Sequence, residues 1–279
     1  MFLALQEWTA RRAQHEARVS RLLGEHLTRR QSGVKHPVHD FLFTYYSYRP
    51  AQLRRWHPGF GVTLEDGPSE EVDLSAKRLS SVGWIRDLLA ATQQRQANFG
   101  CFGMHEWAMV YRQAQHEVRH NSWPLRLSPS RTAEVVEERG VRCSHFDAFR
   151  FFTAPARPLN VLQPTRETQA LNEQPGCLHA NMDLYKWSYK LAPIAGAELI
   201  ADCFELAKDI RTLDMRASPY DLEPLGFSPV KIETAEGRAE YATVQRGFSE
   251  RAQPLRRRLI EQCDLVLAYA SVGGSPSVA

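Results

Sequence analysis

The chain has 279 residues, of which 43% are hydrophobic and 24% charged, with a formal net charge of +3. That composition excludes a collagen-like or wholly disordered chain, and the length suffices for a core without disulfide staples. Only six of the 35 basic residues are lysine, and the small positive excess is far from the basic stripe of a protein that lives by phosphate contacts.

Five cysteines run from Cys101 to Cys263 with no C-x-x-C pair, so neither a disulfide framework nor a zinc knuckle is expected. The apolar run Met1 to Leu5 is too short for a signal peptide, and no stretch approaches membrane-spanning length. A reduced, cytoplasmic chain with no membrane partner is the expectation.

Residues 4–31 predict one long helix, since Leu5, Trp8, Val19, Leu22, Leu23 and Leu27 recur at helical spacing and Ser32-Gly33 ends the run. Residues 36–55 are aromatic-rich (Phe41, Phe43, Tyr45, Tyr46, Tyr48), and 57–75 read as loop with one short strand. Helices are expected over 76–95, 101–120 and 132–139, the last ended by Gly140. The dense apolar segment 141–153 predicts a strand, with another short one at 229–233. Four prolines make 154–176 an irregular connection. Helical patterns return at 178–192, 196–214, 236–252 and 254–270, followed by a small polar tail, 271–279, expected to be disordered. The fold class is mainly α: a single helical domain over 1–270 with a few short strands.

Three segments share one composition: Cys101-Phe-Gly-Met-His105-Glu106-Trp107, Cys143-Ser-His145-Phe-Asp147 and Cys177-Leu-His179-Ala-Asn-Met-Asp183. Each sets an imidazole near a carboxylate among apolar residues. His105, His145 and His179 are therefore candidate ligands for a divalent metal such as iron. Glu106, Asp147 and Asp183 then serve as ligands or orienting partners. A general acid–base pocket is the alternative, in which Lys186 and Lys190, on the helix face of His179 and Asp183, hold an anion. In the plainer reading each His is satisfied by its own neighbouring carboxylate within the core. Convergence predicts the three imidazoles around one pocket, with Phe102, Trp107, Phe146, Phe149, Met182 and Trp187 as its walls.

Other patterns carry less. His116-Glu-Val-Arg-His120 matches H-E-x-x-H, but Arg119 and the stop at Asn121-Ser-Trp-Pro124 favour a solvated helix end. Trp56-His-Pro-Gly-Phe-Gly-Val62 is half of a helix-hairpin-helix element whose second helix is missing. Arg54-Arg55 and Arg256-Arg257-Arg258 read as solvated faces. No P-loop, dinucleotide-binding or nucleophile-elbow motif occurs.

The segments His36-Pro-Val-His-Asp-Phe-Leu-Phe-Thr-Tyr-Tyr-Ser-Tyr-Arg-Pro50, Phe102-Gly-Met-His-Glu-Trp-Ala-Met-Val-Tyr111, His145-Phe-Asp-Ala-Phe-Arg-Phe-Phe152 and Cys177-Leu-His-Ala-Asn-Met-Asp-Leu-Tyr-Lys-Trp187 resemble a bacterial family commonly labelled 3-methyladenine DNA glycosylase. The resemblance implies a DNA-repair hydrolase that releases alkylated purines from damaged DNA. The flipped base would stack between Tyr45 and Trp107, with Phe149 and Arg150 as further substrate contacts. Asp147 or Asp183 would stabilise the sugar cation, with Glu106 and Lys186 as further candidate catalytic groups. Two other readings stand beside it: a metal-dependent enzyme of the non-haem iron kind acting on a small molecule, and a non-catalytic protein that binds a ligand in an aromatic pocket.

Overall fold

The buried positions Trp8, His15, Val19, Leu23 and His26 lie on one stripe of α1 (Leu5–Gln31). An amphipathic run of this length buries its apolar face and leaves its arginines and glutamates outside. The helix closes at Ser32 and Gly33, whose φ of +69° is backbone that glycine adopts freely. The computed structural model describes residues 1–273, and 56% of it is helical. α2 (Phe41–Thr44), α3 (Pro50–Arg54) and α4 (Ala76–Gln94) follow, then α5 (Met104–Ala108), α6 (Pro129–Arg139), α7 (Phe146–Phe149) and α8 (Gln169–Asn172). α9 (Leu178–Met182), α10 (Leu184–Lys190), α11 (Ala197–Arg216) and α12 (Ala235–Ser271) complete the order. The one sheet among the described residues is a parallel pair, β1 (Phe2–Leu3) with β2 (Thr63–Leu64). The chain is thus mainly α.

Several elements differ from the periodicity. The helix expected over 101–120 stops at Ala108, and Arg112 takes a left-handed φ of +56°. Beyond it polar side chains satisfy turns: the Glu117 carboxylate accepts from the Ala114 amide at 2.7 Å, and Gln115 donates to Trp123 O at 2.8 Å. His116 and His120 therefore share no helix face. The strand expected over 141–153 is a single bridge from Val141 to Asn160 followed by α7, which His145 caps by accepting from the Ala148 amide at 3.3 Å. Its aromatic density packs a helical turn and not a pleat. Residues 229–233 are irregular, with the Val230 amide donating to Arg216 O. The patterns at 236–252 and 254–270 fuse into α12, which carries Pro254 inside it. Burial of Phe248, Ala252, Leu259, Cys263 and Val266 outweighs the missing N–H. Of the expected tail, Ser271 ends α12, and 274–279 lie outside the described residues.

The chain divides into two compact units, each built from discontinuous stretches: 1–90, 183–207 and 253–279 in the first, and 91–182 with 208–252 in the second. In the first, Trp8 and Trp56 stack at 6.2 Å in a cluster with Leu3 and Ala197, and Arg18 on α1 pairs with Asp202 at 2.7 Å. The Pro58-Gly59-Phe60-Gly61 turn belongs to this packing. The Phe60 amide donates to Ile194 O at 3.0 Å, and a Cβ on Gly59 would stand 3.0 Å from the Gly196 nitrogen. Strand β2 follows the turn, so it is not a helix-hairpin-helix element. Of the triple-arginine run, Arg257 and Arg258 are exposed as expected, with Arg258 paired to Asp202 at 2.8 Å, whereas Arg256 is fully buried and corrects the reading at that position. The second unit contains α5 to α9 and carries the site.

Candidate metal centre and cavity

Each part of the site is set by a short local device. Phe102 and Gly103 both take left-handed backbone (φ +48° and +74°) and turn the chain into α5, which places Cys101 Sγ 3.5 Å from His105 Nδ1. His179 sits on α9. Arg211 and Asp214 lie three residues apart on one face of α11, and both are buried, as are Ile210, Leu213 and Met215.

These elements bring the three imidazoles together. The His105 and His179 rings are 4.4 Å apart, nearly perpendicular, and His145 stacks on His179 at 5.3 Å. His105 Nε2 lies 2.7 Å from Asp214 Oδ1, while Arg211 donates to Asp214 Oδ2 and to Glu106 Oε1, each at 2.9 Å. None of these side chains is more than 8% exposed. One ligand atom each from His105, His179 and Asp214 fall within 4.8 Å of one another. Two imidazoles and a carboxylate are a donor set for borderline divalent metals, iron among them.

Burial disfavours charge on His105, but the Asp214 carboxylate outweighs it and holds the imidazole well above its ordinary range. Burial likewise works against the Asp214 anion, and the His105 charge and hydrogen bond keep its carboxyl far below the usual value. Burial raises the Glu106 carboxyl against the pull of Arg211. It also raises the Cys143 thiol, and pushes Cys177 up to about 12 against the backbone N–H groups of Ala180 and His179.

Beside the cluster lies a cavity of about 380 Å³, lined by Cys101, His105, Cys143, Cys177, His179 and Tyr241. Arg95, Asn98, Arg142, Asn172, Gln174 and Gln245 add polar groups to its wall. The Tyr241 hydroxyl and Gln245 Oε1 are buried there with no hydrogen-bond partner in the protein, four residues apart on α12. Buried polar groups are normally paired, so two orphans facing one cavity point to a ligand or ordered water.

The local pairing expected of His105 with Glu106 and of His145 with Asp147 is corrected. His105 pairs with Asp214, and Glu106 with Arg211. His145 uses Nδ1 to cap α7, and its Nε2 is 3.5 Å from Glu173. Asp147 pairs with Arg150 at 3.2 Å and is absent from the cavity wall. Asp183 and Lys186 belong to the first unit, where Asp183 accepts from the Tyr46 hydroxyl at 3.0 Å and forms an ion pair with Lys186. Local geometry explains the change at His105: side chains at i and i+1 on a helix point apart, so Glu106 is turned from it.

The proposed base sandwich of Tyr45 and Trp107 is corrected too. Trp107 is wholly buried and donates to Ala217 O at 2.9 Å, whereas Tyr45 stacks on Phe41 in the first unit. Phe149 packs on Phe152, and Arg150 lies over Phe151. Sequence reasoning missed Arg211 and Asp214, which stand among other charged residues of α11 (Lys208, Asp209 and Arg216) and carry no distinguishing signal. It also missed Glu173, Tyr241 and Gln245. Comparison with protein-family models, curated proteins and solved structures finds no match.

Proposed function

We propose that the second unit is a metal-dependent enzyme acting on a small polar molecule, with a divalent metal of the iron class held by His105, His179 and Asp214. The observation that carries this reading is the close approach of these three donor atoms in a buried setting beside a cavity. A metal at such a site supplies Lewis acidity to a substrate oxygen. The chain's own residues do the rest. Arg211 fixes the Asp214 carboxylate through Oδ2, which leaves Oδ1 on the side of His105 Nε2. The Tyr241 hydroxyl donates to the substrate, Gln245 Oε1 accepts from it, and the Arg95 and Arg142 guanidiniums favour an anionic group. Elemental analysis of purified wild type against His179→Ala tests this. A loss of about one equivalent of transition metal is expected. Equal metal in two folded proteins contradicts it.

A second reading, release of an alkylated purine, draws on the resemblance of the four segments and on the orphaned donor and acceptor, which suit a heterocycle edge. Chromatography of alkylated DNA after incubation decides it. Free 3-methyladenine from wild type and none from Gln245→Ala supports the reading, and no release by either sinks it.

A further inference from the structure

Three of the five cysteines face one cavity, and they reach it from three separate loops. Cys101 precedes α5, Cys143 follows the bridge at Val141, and Cys177 precedes α9. All are free thiols, and their charges would act on one another, Cys101 and Cys177 on Cys143, and Cys101 on Cys177.

Side-chain hydrogen bonds to the backbone fix two of these loops. The Asn160 side chain grips both sides of Cys143, accepting from its amide at 2.7 Å and donating to its carbonyl at 2.9 Å. The loop before Cys177 is pinned by Gln245 Nε2, which donates to Gly176 O at 2.7 Å, and by Ser249, which donates to Pro175 O at 2.8 Å.

Two observations give the kind of occupant. Among the described residues the three sulfurs do not gather within 4.8 Å of one another, as the donors of His105, His179 and Asp214 do. A single ion draws its thiolates together, whereas a cluster binds each to a different iron and keeps them apart. The cavity of about 380 Å³ also exceeds one water's share of liquid volume, about 30 Å³, more than tenfold, so it suits a body larger than one ion.

We infer that Cys101, Cys143 and Cys177 hold an iron–sulfur cluster of the [4Fe–4S] class in this cavity. Three thiolates leave one iron without a cysteine, so a molecule in the cavity can bind there. Backbone N–H groups of His179 and Ala180 directed at Cys177 are the hydrogen bonds to sulfur that tune such clusters. The inference is independent of the proposed mononuclear site. The donors differ, and they lie on opposite edges of the His105 ring, with Asp214 at Nε2 and Cys101 at Nδ1.

Anaerobic reconstitution of the full chain with ferrous iron and sulfide tests it. Wild type is expected to take up about four acid-labile sulfides and about five irons, four in the cluster and one at the mononuclear site, with broad visible thiolate-to-iron absorption. Cys203→Ser/Cys263→Ser retains the chromophore, whereas Cys101→Ser, Cys143→Ser and Cys177→Ser each lose most of it. Circular dichroism checks folding. Should a serine variant unfold, alkylation of wild type read by mass spectrometry supplies the test: reconstitution protects these three thiols. Undiminished absorption in all three variants, uptake of iron without sulfide, or equal labelling before and after reconstitution would overturn the inference.

Discussion

Asp214 is buried with a cation on each side, His105 at one oxygen and the Arg211 guanidinium at the other. Removing one member of such a network leaves buried charge uncompensated, which costs about 3–5 kcal/mol. Asp214→Asn is expected to lose roughly that much in denaturant unfolding, and an unchanged midpoint would show the pairing to be energetically idle. His57 gives a different prediction. It is buried in the first unit with neither ring nitrogen hydrogen-bonded, and burial lowers it to about 4. Its folded-state pKa is depressed, so the neutral form's stabilisation is full above the ordinary 6.5 and is lost as pH falls from there toward 4. His57→Leu should flatten the stability profile in that window, removing a slope that amounts to roughly 3 kcal/mol. A profile parallel to wild type between pH 6.5 and 4 would refute the assignment. At this scale the imidazoles were legible, because histidine in an apolar run needs a partner. Their carboxylates were not, because Asp214 lies 109 positions from His105 and only tertiary structure joins them.

At the scale of elements, the site depends on loops that approach closely. A Cβ added to Gly176 would stand 2.5 Å from Asn98 O, so the loop before Cys177 and the loop before Cys101 fit only while that position is glycine. Gly176→Ala is expected to destabilise the second unit by about 1–3 kcal/mol, the cost of overpacking, and to weaken metal uptake. Normal stability with normal uptake would mean the two loops do not position the donors. The long helices α1, α4 and α11 follow from apolar spacing, since 3.6-residue periodicity sustained over many turns leaves little choice. The short elements did not follow. Segment 141–153 has the aromatic density of a strand, yet the His145 cap and the turn of α7 are decided by what buries Ala148 and Phe149. Asn160 likewise reads as a loop residue until its two hydrogen bonds to Cys143 are seen.

Across the whole molecule, many arginines are engaged in ion pairs. Arg11, Arg18, Arg126, Arg131, Arg251 and Arg258 all pair with carboxylates, and the formal net charge is only +3. Any DNA affinity is therefore expected to be weak and to fall steeply with salt. Tight binding that survives 200 mM salt, read by fluorescence anisotropy, would contradict this and strengthen the purine-release reading. The central claim concerns the second unit's two imidazoles and one carboxylate. Its most direct test is an anaerobic, sulfide-free titration with ferrous iron of the chain carrying Cys101→Ser, Cys143→Ser and Cys177→Ser, which removes the thiols from the count. The account predicts saturation at about one ion per chain, abolished by adding His105→Ala, His179→Ala or Asp214→Ala. Absence of binding by the folded triple variant, or binding that survives all three additions, would contradict it.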